Sequence, residues 1–156
     1  LSRSTAGNAC PLNDGAAAVV VMSDTKAKAL GLTPLARIVS SGVSGLNPEI
    51  MGLGPVEASR RALALAGMTI DDVDLVEINE AFAAQVLPSA RALGISEDKL
   101  NVNGGAIALG HPFGMTGARI MGTLLNGLED SGGTVGLETM CVGGGQGMAM
   151  IVERLA

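Results

Sequence analysis

The end of the chain constrains its fold more than any other stretch. Residues 134–142 (TVGLETMCV) and 146–153 (QGMAMIVE) are two apolar-rich runs separated only by Gly143, Gly144 and Gly145. Two strand-like runs divided by so short a glycine turn read as a β-hairpin. A hairpin buries at least one face, and the preceding sequence supplies the cover. Residues 15–22 (GAAAVVVM) follow the turn-like Asn13-Asp14-Gly15 and suit a buried strand. Ser23 is placed to cap a short helix through Leu30, closed by Gly31. Residues 35–41 suggest another strand. Residues 55–66 read as a helix, with Pro55 in its first turn, Gly67 past its end, and Val56, Leu63 and Ala66 near one face.

Residues 74–78 (DLVEI) read as a strand, and a helix follows from about Ala81, with Phe82, Val86, Ala90 and Leu93 at helical spacing. Pro88 inside it predicts a kink or a break. Residues 100–110 are too glycine-rich for a plain helix, and helical character resumes over 117–128. Five strands interleaved with helices imply an α/β layered domain, a mixed sheet covered by helices.

Composition narrows the function. With 156 residues, 47% of them apolar, the chain can form one domain with a real core. A net charge of −5, no basic run and no Trp or Tyr argue against a nucleic-acid surface. No apolar stretch approaches the length of a membrane span, and no secretory signal opens the chain, so a cytoplasmic location is expected. Two cysteines and one histidine make neither a disulfide scaffold nor a usual zinc site, so no metal is expected. The GGAIALG segment lacks the Lys-Ser/Thr of a phosphate-binding loop. The turn-rich opening, LSRSTAGNACPLNDG without an initiator Met, reads as if cut from a longer protein.

Three polar points stand at junctions. Asn79 follows DLVEI and precedes a helix; it is either an N-cap or an amide that orients a water or an oxyanion, because ligands of α/β sheets bind at such strand ends. His111, the only histidine, lies in a loop with Gly104, Gly105, Gly110 and Gly114 nearby. It is either a structural histidine or an acid–base group. Cys141 ends an apolar strand and enters the glycine turn. It is either a buried small hydrophobe or a reactive thiol beside N–H groups able to bind an oxyanion. Phe82 and Phe113, the only aromatics, read as core packing or as a substrate wall.

NEAFAAQ (79–85), NVNGGAIALGHPFGMTGAR (101–119) and CVGGGQG (141–147), with GLGPVEASRRAL (52–63) and TAGNACPLNDGAAAVVVMS (5–23), resemble the carboxy-terminal half of the thiolases. The resemblance covers nearly the whole chain, with the motifs in order. It implies a thiolase-fold domain with a mixed sheet of the five-stranded type. Residues 1–30 would be the tail of the first thiolase half, its last strand and a short helix; residues 31–156 would be the C-terminal domain. It also implies acyl-CoA and CoA as substrates, no cofactor, and a homodimer or homotetramer completed by the first half of the same enzyme.

The resemblance also implies roles. His111 would deprotonate a nucleophilic cysteine and, with a water held by Asn79, bind a thioester oxygen. Cys141 would shuttle the α-proton of acetyl-CoA. The Gly143 N–H would help bind the acyl-enzyme oxyanion. Cys10, Met51, Phe82 and Phe113 would contact substrate. The nucleophilic cysteine belongs to the first half, and Cys10 does not replace it, so no thiolysis is expected from these residues alone. Degradation of 3-ketoacyl-CoA fits GQG and the terminal ER; acetoacetyl-CoA synthesis is the alternative. A ketosynthase would use a second histidine or an asparagine where Cys141 stands. A thiolase-fold binding or interaction module would need no proton relay.

Overall fold

The structure, a computed structural model, describes residues 3–156; Leu1 and Ser2, which open the expected 1–30 segment, lie outside the described residues. Among these residues, four strands form one sheet: β1 (Ala36–Gly45), β2 (Leu75–Ile78), β3 (Val135–Val142) and β4 (Gln146–Arg154). Five helices accompany them: α1 (Asp24–Ala29), α2 (Gly54–Ala66), α3 (Ala83–Leu93), α4 (Ala106–Leu109) and α5 (Thr116–Ser131). The sheet order is β1-β4-β3-β2. β2 and β3 are parallel and the other pairs antiparallel, so the sheet is mixed, as expected.

The C-terminal hairpin forms as read. Val142 pairs with Gln146 across a turn in which Gly144 and Gly145 have φ of 83° and 87°. Alternation along the strands feeds two cores. On one face α2 and α3 cover Val76, Ile78, Leu137, Ala149 and Ile151 with Ala58, Ala62, Leu63, Val86 and Ala90. On the other, α5 sets Leu124 and Leu128 against Leu75 and Val152. Each fully buried aliphatic side chain contributes about 1.5–3 kcal/mol.

The α5 helix runs antiparallel to β2. Arg119 meets Glu77, a Cβ on Gly127 would touch Leu75, and Thr134, just past the helix, bonds to Asp74. The start of α5 and the loop before it therefore lie at the C-terminal ends of β2 and β3. Gly147 packs hard against the start of α2, where a Cβ would overlap the Gly54 carbonyl.

Three expectations change. The run 15–22 is not a strand: it joins no ladder, and Val20 and Val21 are 84% and 69% exposed. The sheet therefore has four strands, not five. An apolar run signals a demand for burial but does not supply a hydrogen-bonding partner. The Ser23-capped helix does form, over Asp24–Ala29. Finally, α3 continues through Pro88 without a break. Pro88 and Ala84 are exposed, so the carbonyl that loses its donor faces water, while Val86, Ala90 and Leu93 stay buried.

Candidate active site

Asn79 immediately follows β2, and its N–H donates to the Thr139 carbonyl at 3.0 Å. The side chain is fully buried, and neither amide atom has a hydrogen-bond partner. It is not an N-cap, because α3 begins after Phe82. Leaving such a group unpaired costs about 1–3 kcal/mol, so its donor and acceptor are available to a small polar guest.

The flanking residues are clamped. Asn101, at φ 45°, accepts from the Ile78 N–H at 2.8 Å and donates to the Ile78 carbonyl at 2.9 Å and to Glu80 Oε1 at 2.9 Å. The other Glu80 oxygen accepts from the Ile107 N–H at 3.1 Å. This carboxylate occupies the space that a Cβ on Gly105 would need.

His111 sits between α4 and α5. Its N–H donates to Asn13 Oδ1 at 3.2 Å, and Nδ1 lies 2.5 Å from Thr116 Oγ1. The Phe113 ring is 5.0 Å away, tilted by 54°. Burial, reinforced by the Arg119 charge, pulls the imidazole below its ordinary basicity. The ring is thereby biased toward its neutral form, the one that can accept a proton.

Cys141 is buried in β3 opposite Gly147. Asn79 bonds to Thr139, two residues earlier, a span of about 7 Å along a strand. Burial pushes the Cys141 thiol up, and Cys10 is close enough to add to the effect. A resting thiol of this kind is protonated and suits proton transfer better than unaided attack.

One N-terminal segment laces these loops together. The Cys10 N–H donates to the Ala81 carbonyl at 3.1 Å and the Ala83 N–H to the Asn8 carbonyl at 2.9 Å, while Asn13 holds the His111 backbone. Asn79, His111 and Cys141 thus lie on loops and strand ends at one end of the sheet, where α/β sheets usually bind ligands. Gly143 is exposed at the start of the glycine turn.

Other expected positions are more scattered. Cys10 lines an open depression of about 320 Å³ with Ser4, Thr5, Ala6, Ala9 and Pro11, which does not include the three polar residues. Met51 is half-buried in the 3-10 turn Pro48–Leu53. Phe82 and Phe113 are 45% and 87% exposed, so core packing fails for both. Among the described residues, no cluster of His, Cys, Asp and Glu is placed to hold a metal, and no helix is long and apolar enough to cross a membrane. Asn13, Glu80, Asn101 and Thr116 were not singled out from the sequence. All lie inside the quoted motifs, but nothing in the letters says which partner each side chain reaches.

Residues 32–154 match the family described as Thiolase, C-terminal domain. The acetyl-CoA acetyltransferase of Escherichia coli (strain K12) is 58% identical over 151 residues, 97% of this chain and 38% of that protein. The 3-ketoacyl-CoA thiolase of Alcanivorax borkumensis is 58% identical over 154 residues, 97% of this chain and 39% of that protein. Among solved structures, the Bacillus anthracis acetyl-CoA acetyltransferase superposes with a TM-score of 0.94 at 51% identity, covering 97% of this chain and 38% of that one. Human mitochondrial 3-ketoacyl-CoA thiolase in complex with CoA gives 0.90 at 49%, covering 97% and 39%. This chain therefore spans about two-fifths of the length of these relatives. With a family match over most of its length, and this identity in both sequence and fold, the chain belongs to the thiolase family.

Proposed function

We propose that these residues form the carboxy-terminal portion of an acyl-CoA thiolase that cleaves 3-ketoacyl-CoA with CoA to acetyl-CoA and a shortened acyl-CoA, or runs the reverse Claisen condensation. In this reading residues 1–30 belong to the tail of the first half and 31–156 to the C-terminal domain. The enzyme is a cytoplasmic homodimer or homotetramer that needs no cofactor beyond its CoA thioester substrates. The reading rests on the gathering of Asn79, His111 and Cys141 at one end of the sheet, and on a relative of the same fold in complex with CoA.

The chemistry follows from the environments. A thiol of ordinary pKa, about 8.5, is mostly protonated at neutral pH, so the acyl-accepting cysteine needs a base. The neutral imidazole of His111 takes that proton, and the thiolate attacks the carbonyl of the ketoacyl-CoA. The bond to the α-carbon breaks, and Cys141 delivers its proton to that carbon as acetyl-CoA leaves. The CoA thiol then returns a proton to the Cys141 thiolate and attacks the acyl-enzyme, whose oxyanion accepts from the Gly143 N–H; the acyl–cysteine bond breaks, and the leaving thiolate takes back the proton held by His111. His111 and a water on the Asn79 amide stabilise the enolate oxygen, and donors held in place contribute about 3 kcal/mol each. Cys10, Met51, Phe82 and Phe113 contact the substrate.

Degradation is favoured by the GQG and ER features. Acetoacetyl-CoA synthesis is the second reading, favoured by acetyltransferase relatives as similar as the thiolases. The test is a chimera in which this chain replaces the matching stretch of the Escherichia coli relative. It should thiolyse 3-ketoacyl-CoA, and the 156 residues alone should not. Cys141→Ala in the chimera should abolish turnover while CoA still binds. Undiminished turnover would remove the catalytic assignment of Cys141. Rates against acyl length separate the two directions.

A further inference from the structure

We infer that Thr116 is a positioning residue that fixes the tautomer of His111, with the proton on Nδ1 and the lone pair on Nε2. The tautomer follows from the local hydrogen bonds alone; its catalytic consequence rests on the function proposed above.

Proton counting carries the inference. Thr116 Oγ1 has two close neighbours, His111 Nδ1 at 2.5 Å and the Pro112 carbonyl at 3.0 Å. The hydroxyl has one proton, and a carbonyl can only accept. If the hydroxyl gives its proton to Pro112, its lone pair must receive a proton from Nδ1–H, and both contacts are hydrogen bonds. If instead it gives its proton to Nδ1, two oxygens face each other at 3.0 Å with no proton between them. Only the first arrangement satisfies the pair.

The hydroxyl has little freedom to choose otherwise. Thr116 is fully buried, opens α5, and is β-branched, so its χ1 is restricted. The carbonyl it meets is itself pinned, accepting from the Met115 and Thr116 N–H groups at 2.9 and 3.1 Å. Nδ1 is the ring nitrogen with a protein partner among the described residues, which leaves Nε2 for the reacting proton. When Nε2 takes that proton, the Nδ1–H bond to Thr116 persists. The ring can therefore accept and return a proton without any side chain turning.

Because His111 is the only histidine, long-range ¹H–¹⁵N correlation on the labelled chain reads its two ring nitrogens without assignment. Above the imidazole pKa, Nδ1 should show a protonated, pyrrole-type shift and Nε2 a pyridine-type shift. The reverse pattern overturns the inference. Thr116→Val should move the ring toward the Nε2–H form, and Thr116→Ser should retain Nδ1–H. An unchanged tautomer in Thr116→Val overturns the role of the hydroxyl. The wild-type spectrum decides the tautomer even where that variant fails to fold. In the chimera, Thr116→Val should lower kcat ~10- to 100-fold with little change in KM, and Thr116→Ser should recover most of it. A shifted tautomer with unchanged kcat refutes the positioning role. An active His111→Ala variant refutes the catalytic reading itself, and that failure is separate from the ring shifts.

Discussion

Replacing Glu138 with Gln should flatten a steep loss of stability between about pH 5 and pH 8. Glu77 and Glu138 are register partners across the parallel β2–β3 pair. Arg119 supplies one guanidinium, its Nη1 3.6 Å from Glu77 Oε2, and the Oε2 atoms of both glutamates are buried without hydrogen-bond partners. Arg119 pairs with buried Glu77, whereas half-buried Glu138 lies beside the Glu77 carboxylate with no salt-bridge partner among the described residues, so Glu138 retains its proton. Burial pushes Glu138 up to about 8, with the Glu77 charge adding to it. Burial likewise raises Glu77 to about 7, against the pull of Arg119.

The sign follows from proton counts. In the unfolded chain a glutamate releases its proton near 4.5. Between that pH and about 8 the folded state binds one more proton at Glu138, so stability falls as pH rises. Below that window the site is protonated in both states and costs nothing; above it the loss levels off. The slope is about 1.36 kcal/mol per pH unit, so about three units within the window cost about 4 kcal/mol. That is a large share of the ~5–15 kcal/mol typical of a whole domain. Glu77 adds to the slope up to about pH 7. His111, whose proton affinity is lowered on folding, opposes it below about 6.5. Glu138→Gln leaves both of those groups in place, so the difference between wild type and variant reports Glu138 together with its coupling to Glu77. Urea unfolding followed by far-UV circular dichroism suits a chain without Trp or Tyr. Parallel pH profiles for the two proteins would refute the buried-proton assignment.

Gly147→Ala should destabilise by more than about 1 kcal/mol because its methyl meets the Gly54 backbone, whereas Gly122→Ala, with open space on α5, should gain about 0.5–1 kcal/mol; urea midpoints compare them. Leu124→Ala removes a side chain that packs on Gly136 and should cost about 2–5 kcal/mol by the same assay. A thiol-titrating disulfide reagent should modify half-buried Cys10 quickly and Cys141 slowly, the latter being buried with its thiolate disfavoured; equal rates would contradict that burial. The exposed run of Val19, Val20, Val21 and Met22 should make the isolated chain associate, and Val20→Lys with Val21→Lys should reduce the light scattering.

Much of the fold was legible because local rules and tertiary packing agree. Ser23 caps α1, Gly67 takes the left-handed conformation that ends α2, and the triple glycine turns β3 into β4. Two readings failed where local rules see only one side of a contact. Residues 15–22 have the composition of a buried strand but no ladder to join. Pro88 carries a breaking signal that is harmless because the carbonyl it abandons faces water. At the site, Asn79, His111 and Cys141 stood out from the sequence, but the N-cap reading of Asn79 failed because the helix starts three residues later.

By itself the sequence determined the α/β alternation, the mixed sheet, the C-terminal hairpin and, through its motifs, the thiolase family. These depend on hydrophobic period, turn chemistry and residue identity, all of which are local. Tertiary structure alone decided that Asn13 holds the His111 backbone, that Asn101 and Glu80 clamp the residues flanking Asn79, and that Glu138 lies beside Glu77, which pairs with Arg119. Each of these joins residues remote along the chain. A hydrogen bond or a charge pair depends on separation in space, which becomes defined only when α5 packs antiparallel to β2 and brings its own start to the ends of the strands.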